Sequence, residues 1–475
     1  MADSQLIIQK LWNFCSILRD DGLSYWDYME QLTFLLFLKM ADERQQNTQE
    51  VNPIIPEQYN WQSLKNQDPQ YLSNHYQNLL NALSNNPDYR IRRIFSGANN
   101  KIQDPAKLQR LIFSIIDQER WTELDTDVKG GAYEWLLQKT TEDTKGTTRQ
   151  HFTPRPLIQA IVDVMRPEPG TTICDPACGT GGFLLAAYNY ISNPQNYNPT
   201  EIDYEYLINK ALHGHELVDS VVRLALMNLA LHDIDSNTPL VELKDSLLME
   251  PGDRFDMVIT DPPVGKLSSD PHQRKDFWAT TNNKQLNFVQ HIYTLLKENG
   301  KAAVVIPDNV LFESGAGKTI RENLLRKCDV HTLLRLPTGV FYAHGANANI
   351  LFFDRKPASE TPWTTNLWIY DFRTNQNFTL KETPLKREDL DEFVRCFNAQ
   401  NRFERKPSDS PQGRWQAFPY EQLIKRDKLA LDIFWIKDDV PTLDEPDVIA
   451  ERIYQDLKTA MERIGLIHQD MNSSS

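Results

Sequence analysis

The sequence predicts an α/β fold of the doubly wound class, with a helical N-terminal domain and a C-terminal helical extension. Apolar residues in the first 139 positions recur at three- and four-residue steps, as at Leu108, Leu111 and Ile115, which is typical of helices. A polar stretch that ends in glycine, TTEDTKG at residues 140–146, then indicates a linker. Beyond it, short apolar runs alternate with helical segments, and this alternation indicates a parallel sheet covered by helices.

Five apolar runs predict strands of this sheet, and two amphipathic segments predict helices between them. The strands are predicted at residues 172–174, 257–260, 302–306, 331–336 and 349–353, and the helices at residues 217–231 and 286–296. A last amphipathic helix is predicted at about residues 448–467. The three predicted domains are residues 1–139 (helical), 147–400 (α/β) and 401–475 (an extension whose last helix binds a partner).

The composition limits the classes of protein to which this chain can belong. Its 475 residues carry a net charge of −14, the wrong sign for gripping a polyanion unaided, because phosphate neutralisation supplies much of the affinity for nucleic acid. The five cysteines are never spaced as CxxC, so we expect neither a disulfide framework nor a zinc site. We find no secretion signal and no run of about 20 apolar residues. We therefore expect a cytoplasmic protein without a membrane segment.

A glycine-rich loop follows the first predicted strand. The segment TTICDPACGTGGF places Asp175 directly after the strand and Gly179, Gly181 and Gly182 before a helix. Glycines let the backbone approach a ligand closely, and a helix N-terminus favours a negative group such as the carboxylate of methionine. Asp175 is placed to bind an ammonium group, so the segment fits S-adenosylmethionine. A dinucleotide fits less well, because the third glycine of GxGxxG would fall at Leu184; a tight turn without a ligand is the other alternative.

Two further carboxylates are candidates for binding the same ligand. Glu216, in HGHEL, stands where the next strand should end and would there accept hydrogen bonds from both ribose hydroxyls. Asp245, in KDSLL, precedes a loop that could reach the adenine of the ligand, although a surface carboxylate explains it almost as well. His213 and His215 have no third ligand nearby in the sequence, so we predict no metal site.

The segment FDMVITDPPVG predicts a buried strand that ends in Asp261, Pro262, Pro263 and Val264. Two prolines after a strand form a stiff, exposed loop. Such a loop can present the Asp261 side chain and the Pro262 carbonyl to an exocyclic amine. Both groups then accept hydrogen bonds, and the nitrogen lone pair stays free to attack a methyl group. A strand-terminating turn without function is the alternative, since Asp-Pro is a common breaker.

Together these motifs resemble the modification subunit of type I restriction-modification enzymes, a family of DNA adenine-N6 methyltransferases. QHFTPRP at residues 150–156, DPACGTGGFL, GHELVDSVVRLALMNLALH and DPP stand in the family's order. NGKAAVVIPDNVLF, LRLPTGVF, NILFF and RDKLALDIFW are similar to its later segments, so the resemblance covers nearly the whole chain. It implies a Rossmann-like class I methyltransferase core of the seven-stranded type, with S-adenosyl-L-methionine as cofactor.

The resemblance also implies a role for each motif residue. The residues expected to bind S-adenosylmethionine are Gln150, His151, Phe152, Thr153, Pro154, Arg155, Asp175, Cys178, Gly179, Thr180, Gly181, Gly182, Glu216 and Asp245. The residues expected to hold the target amine are Asp261, Pro262, Pro263 and Val264. The family usually has Asn-Pro-Pro followed by Phe or Tyr, and that aromatic stacks on a flipped-out base, a contact worth about 1–3 kcal/mol. Val264 therefore predicts slower catalysis or a substitute aromatic.

The resemblance implies partners as well: a DNA specificity subunit, a second copy of this chain, double-stranded DNA and, optionally, an ATP-dependent restriction subunit. No ATP site is predicted in this chain, because SGAGKT at residues 314–319 has Phe312 where a phosphate loop needs its first glycine. Two alternatives stay open: a subunit that binds the cofactor but transfers no methyl group, and a methyltransferase of RNA or protein. The first would bind S-adenosylmethionine only, whereas the second would act without a DNA-reading partner.

Overall fold

The protein is described from a computed structural model. The description covers residues 9–437 except 12, 16, 19–21, 49–54, 123–152, 233, 235, 237, 268–273, 342–346, 377 and 380–382. Gln150, His151 and Phe152 lie outside the described residues, as do the predicted linker and the predicted helix at about residues 448–467. The chain divides into two compact units, Met1–Phe434 and Trp435–Ser475, and all the elements named below belong to the first.

In the described part of the chain, a nine-stranded sheet has the order β3-β2-β1-β4-β5-β7-β6-β8-β9. Its strands are β1 (Ile173–Asp175), β2 (Leu212–Glu216), β3 (Val241–Leu243), β4 (Phe255–Thr260), β5 (Leu296–Pro307), β6 (Cys328–Arg335), β7 (Ala348–Arg355), β8 (Asn366–Asp371) and β9 (Trp415–Pro419). β1 to β5 pair in parallel, whereas β7 runs antiparallel to both β5 and β6. The first seven strands in this order form the expected core, which β8 and β9 extend beyond β6. The predicted doubly wound α/β class is confirmed.

Helices cover the sheet and build the N-terminal region. In the described residues they are α1 (Tyr25–Thr48), α2 (Trp61–Lys65), α3 (Pro69–Ser84), α4 (Tyr89–Ile94), α5 (Pro105–Arg110), α6 (Arg155–Met165), α7 (Gly182–Ser192), α8 (Glu201–Tyr206), α9 (Asp219–Leu231), α10 (Lys284–Leu295), α11 (Asp308–Phe312), α12 (Ala316–Lys327), α13 (Asp391–Phe397) and α14 (Tyr420–Leu423). Aspartates start three of the N-terminal helices by accepting a hydrogen bond from a backbone N–H two residues on; they are Asp68, Asp88 and Asp104. The predicted helical N-terminal region is thus present.

The order of the strands indicates where this sheet would bind a ligand. Met257, Val258 and Ile259 of β4 are all at most 2% exposed, because helices cover both faces of the central strands. The strand order reverses between β1 and β4, and open α/β sheets bind ligands at such a switch point, beyond the carboxyl ends of the strands. Asp175 ends β1 and Thr260 ends β4, so the residues that follow these strands lie at this switch point.

Two hydrophobic cores share helix α9. The larger core lies around the sheet, and a second core fills the N-terminal helices. Leu224, Met227 and Leu231 of α9 belong to the second core, although α9 packs beside β2 and β3. A buried ion pair reinforces this junction: Arg223 of α9 lies 2.5 Å from Glu30 of α1. The helix that follows Glu216 is therefore fixed to the N-terminal region by apolar packing and by charge.

Several element boundaries differ from the sequence prediction. The helix predicted from residue 217 begins at Asp219, because the N–H groups of Leu217 and Val218 donate to the Glu216 carboxylate instead of entering the helix. β5 begins at Leu296, six positions before the predicted start at residue 302, and polar residues fill its first half. Strands β3, β8 and β9 were not predicted; β3 is three residues long, and β9 ends in a proline.

No helix within the described ranges is both long and apolar enough to cross a membrane. Nor do three or more His, Cys, Asp or Glu side chains come together there in an arrangement that could hold a metal ion. All five cysteines are free thiols, and only Cys396 is more than slightly exposed.

Candidate functional site

Asp175, at the carboxyl end of β1, is an almost completely buried residue of the candidate site. Its side chain is only 2% exposed. Its Oδ1 accepts a hydrogen bond from the hydroxyl of Thr260 at 2.6 Å and another from the backbone N–H of Ala177 at 3.1 Å. Burial, with a smaller contribution from the negative charges of Asp261 and Glu216, raises the pKa of Asp175 to about 7, and the two hydrogen bonds oppose this rise. A cationic ligand group would relieve this cost.

The glycine-rich loop turns sharply between β1 and α7. Gly179 and Gly181 adopt φ values of +53° and +84°, the left-handed region that favours glycine, and Gly181 caps the start of α7. The Thr180 carbonyl accepts from the side chain of buried Asn228 on α9 at 3.0 Å. The Cys178 N–H donates to the carbonyl of His215 at 3.0 Å, which ties the loop to β2. The loop therefore has a fixed backbone shape.

Glu216 lies beside this loop, at the carboxyl end of β2. One carboxylate oxygen accepts from the N–H of Gly179 at 3.2 Å, and the other accepts from Leu217 and Val218 at 2.8 and 2.9 Å. Burial raises the pKa of Glu216, and these three backbone hydrogen bonds oppose the rise. The predicted ammonium and ribose carboxylates, Asp175 and Glu216, thus lie at the ends of neighbouring strands, on either side of the glycine loop.

Asp245 lies in the loop after β3 and is exposed. Its Oδ1 accepts from the N–H of Leu247 at 2.9 Å, so it shapes its own turn. The next residue, Ser246, is buried and donates its hydroxyl to the Pro176 carbonyl at 2.6 Å. The loop after β3 is thereby attached to the loop after β1, while the contact of Asp245 with an adenine stays a prediction.

Asp261, the first residue after β4, is linked to the start of α6. Thr153, which is 7% exposed, donates its hydroxyl to Asp261 Oδ2 at 2.6 Å. Burial of the carboxyl group raises the pKa of Asp261 to about 7, although the residue keeps some contact with solvent, and the Thr153 hydrogen bond works against that rise. The FTP and DPPV segments, 108 residues apart in sequence, therefore meet in one site.

The remaining predicted residues of the site differ in their exposure and in the elements that carry them. Pro262 is buried and Pro263 is exposed, and the Val264 side chain is 47% exposed. Pro154 is the N-cap residue of α6. A cavity of about 270 Å³ between α6 and α7 reaches the glycine loop; among its lining residues are Arg155, Thr180 and Gly182.

Two residues of the site were missed in the sequence. Thr260 is fully buried, and its hydroxyl holds Asp175; its place at the end of a buried strand, just before Asp261, was the available signal. Gln285 is the second residue of α10 and donates its Nε2 to the Pro263 carbonyl at 3.0 Å. No local pattern marks Gln285, because its role depends on how α10 packs against the loop after β4.

Comparisons with known proteins agree with this architecture. Residues 124–419 match the N-6 DNA Methylase family, and residues 7–115 match the HsdM N-terminal domain family. The type I restriction enzyme StySPI methylase subunit of Salmonella potsdam is 36% identical, over 98% of this chain and 95% of its own length. The EcoKI methylase subunit of Escherichia coli is 35% identical, over 98% and 96% of the two chains.

Solved structures extend the comparison to the fold. The crystal structure of the EcoKI M protein matches with a TM-score of 0.55 at 33% identity, covering 98% of this chain and 96% of that one. A chain from a structure of complex assembly and conformational transition in the type I restriction-modification system matches with a TM-score of 0.73 at 25% identity, covering 98% of both chains. The chain therefore belongs to the N-6 adenine DNA methyltransferases, as a methylase subunit of the type I restriction enzymes.

Proposed function

We propose that this chain transfers a methyl group from S-adenosylmethionine to the N6 amine of an adenine flipped out of double-stranded DNA. The observation that carries the proposal is the meeting of Asp175, Glu216 and Asp261 at the carboxyl ends of adjacent strands. The charges of Glu216 and Asp261 raise the cost of ionising the buried Asp175, so the site favours a positively charged ligand. S-adenosylmethionine carries an ammonium and a sulfonium group and supplies an electrophilic methyl group.

The cofactor half of the site has a donor or acceptor for each polar part of that molecule. Asp175 would accept from the ammonium group, and Glu216 from the ribose hydroxyls. The N-terminus of α7 favours the methionine carboxylate, because its first N–H groups have no partner within the helix. Asp245 would accept from the adenine amine, and residues 150–155 would also hold the cofactor.

The amine half of the site consists of the DPPV loop, residues 261–264. The Asp261 carboxylate and the Pro262 carbonyl would accept the two N6 hydrogens and so orient the nitrogen lone pair toward the methyl carbon. The bound cofactor would supply the methyl group: its carbon–sulfur bond would break as the nitrogen–carbon bond forms, the electron pair would stay on sulfur, and the proton lost from N6 would pass to solvent water. The ionised Asp261 carboxylate is the stronger acceptor for the amine, so a pKa of about 7 makes the reaction pH-dependent.

Val264 replaces the aromatic that the family resemblance predicts behind the target base. Its side chain is 47% exposed, so a residue at this position is available to a base that enters the site. An aliphatic side chain gives less stacking than an aromatic ring, and the difference weakens the extrahelical state of the base. We therefore propose an active enzyme with a reduced rate.

The chain is proposed to act in a complex and in the cytoplasm. A net charge of −14 opposes binding to DNA phosphates, so a partner must supply much of the electrostatic attraction. A DNA specificity subunit would supply it and would choose the sequence, with a second copy of this chain completing the methyltransferase. A restriction subunit is a further possible partner. Membership of the DNA methylase family favours DNA over RNA or protein as the substrate.

The test is tritiated methyl transfer to unmethylated DNA by this chain with its specificity partner. We expect label on adenine N6, and an Asp261→Ala variant should lose about 100-fold or more of the rate, because one oriented hydrogen-bonding group typically contributes this much. S-adenosylmethionine binding should persist in that variant. Cofactor binding without any transfer by the unaltered chain would instead identify a silent subunit. Transfer to RNA or protein by this chain alone, with none to DNA, would identify the other alternative.

A further inference from the structure

The DPPV loop is attached at its far end to the N-terminus of helix α10. The side-chain Nε2 of Gln285 donates to the Pro263 carbonyl oxygen at 3.0 Å. The backbone N–H of Lys284 donates to the carbonyl of Gly265, also at 3.0 Å. The backbone that follows the two prolines is therefore hydrogen-bonded to the first turn of a twelve-residue helix.

Asn283 organises this end of α10. Its Oδ1 accepts from the N–H groups of Gln285 and Leu286 at 3.0 and 3.2 Å, which caps the helix. Its Nδ2 donates to the Glu313 carboxylate at 2.8 Å, and its backbone forms an antiparallel bridge with Lys266. The first turn of α10, which carries Gln285, is therefore held by the contacts of Asn283 with Glu313 and with Lys266.

The burial of Gln285 indicates that its amide group is required. The residue is only 3% exposed, and it is one of ten buried residues of α10, of which five are polar. A buried amide lowers stability unless it is hydrogen-bonded, and an apolar side chain of similar size would fill the same space without that cost. The hydrogen bond to the Pro263 carbonyl is the interaction that explains an amide at this position.

The loop is consequently held at both ends by side chains from distant parts of the chain. Thr153 holds the Asp261 carboxylate at one end, and Gln285 holds the Pro263 carbonyl at the other. The Pro262 carbonyl, which is the second proposed acceptor for the amine, lies between these two anchors. Fixing the Pro263 carbonyl restricts rotation of the peptide that carries it, and this restriction limits the directions available to Pro262.

We propose that Gln285 is a positioning residue for methyl transfer. By holding the Pro263 carbonyl, it keeps the Pro262 carbonyl and the Asp261 carboxylate directed at the same target nitrogen. This inference rests on the proposed function and adds a residue that acts on the reaction through the loop. Gln285 should therefore affect the rate of the chemical step and the capture of the flipped base, and it should leave the cofactor half of the site unchanged.

The chain offers a matched control on the same helix. Gln290 is also buried, at 1% exposed, and it also bonds a backbone peptide: its Nε2 donates to the Ala279 carbonyl at 3.0 Å and its Oε1 accepts from the Ala279 N–H at 2.9 Å. Ala279 lies well beyond the DPPV loop in sequence. Gln285→Leu and Gln290→Leu both remove a buried amide from α10, but only the first removes a bond to the loop.

The experiment compares both variants with the unaltered chain, each in complex with the specificity subunit. We expect Gln285→Leu to lower kcat by about 10- to 100-fold, because small displacements of reacting groups cost up to about this much. Its Kd for S-adenosylmethionine should stay within about twofold of that of the unaltered chain. The fluorescence of DNA with 2-aminopurine at the target position should show less flipped base. Both substitutions should lower Tm by a similar amount. Gln290→Leu, however, should retain the kcat and the fluorescence signal of the unaltered chain.

A Gln285→Leu variant with the kcat of the unaltered chain would overturn the proposal, as would an equal loss of kcat in Gln290→Leu. If Gln285→Leu fails to fold, Glu313→Ala is the alternative test. It removes the partly exposed carboxylate that accepts from Asn283 Nδ2, and Asn283 in turn caps the helix at Gln285. A fall in the kcat of Glu313→Ala, smaller than that expected for Gln285→Leu, supports the proposal, and an unchanged kcat contradicts it. Absence of transfer by the unaltered chain would instead reject the proposed function itself.

Discussion

The two halves of the site, one for the cofactor and one for the amine, are held together in different ways. Glu216 accepts three backbone N–H groups from its own turn and the adjacent glycine loop, and one of the two hydrogen bonds to Asp175 comes from Ala177, two residues later. Asp261 instead depends on the Thr153 side chain, 108 positions earlier in the sequence. The cofactor half is built mainly by local backbone geometry, whereas the amine half is assembled by contacts between distant segments.

This difference predicts how each half responds to substitution. Backbone hydrogen bonds survive a change of neighbouring side chains, so the cofactor half should lose function mainly when a ligand-binding group, or Thr260 beside Asp175, is changed. Side-chain anchors can be removed one at a time, so the amine half should lose rate when residues that never contact the base are altered. Substitutions in the two halves should therefore separate into effects on Kd and effects on kcat.

The largest effect on the cofactor half is expected from Asp175→Asn. The change removes the charge that would pair with the ammonium group, and charge-assisted hydrogen bonds contribute about 1.5–3 kcal/mol, so Kd for S-adenosylmethionine should rise about 10- to 100-fold. Calorimetry measures this, with Asp245→Ala as a comparison at an exposed position, where a smaller rise is expected. An unchanged Kd for Asp175→Asn would remove the ammonium-binding role from Asp175.

A smaller effect, with a pH signature, is expected from Thr153→Val. Removing the hydroxyl removes a hydrogen bond that lowers the pKa of Asp261, so that pKa should rise above about 7. Because the ionised carboxylate accepts more strongly from the amine, the rate should increase with pH through the pKa, and this rise should move to higher pH in the variant. We expect a fall of about 10-fold at pH 7 and a smaller fall at pH 8.5.

The pH profile of methyl transfer distinguishes this explanation from simple misfolding. A variant that loses the same fraction of activity at every pH would contradict a specific role for Thr153 in the amine half. Thr260→Val is not a suitable control, since Thr260 contacts Asp175.

The smallest effect is a gain, expected from Val264→Phe. An aromatic ring at this exposed position restores stacking on the base, and a part of the roughly 1–3 kcal/mol available should appear as a rise of about three- to tenfold in kcat/KM for DNA. The Kd for S-adenosylmethionine should not change. A fall in kcat/KM would mean that another aromatic already occupies the face of the base.

Sequence patterns predicted the structure best where it depends on residues that are close together in the chain. The strand before Asp175, the glycine turn and the placement of Glu216 each follow from a few consecutive residues, because a buried strand, positive φ angles and a helix start are short-range properties. The same patterns were weaker for β3, β8 and β9, which are short or lie near the edge of the sheet, and for β5, whose polar first half does not resemble a buried strand.

By itself, then, the sequence determined the class of the fold, the order of the motifs and the identity of the groups expected to bind the cofactor and the amine. Only the tertiary structure decided that Thr153 holds Asp261, that Thr260 holds Asp175 and that Gln285 holds the loop carbonyl. Side-chain hydrogen bonds of this kind depend on the packing of α6 and α10 against the sheet. Packing joins residues that are far apart in the chain, and it leaves no periodic or local pattern in the sequence.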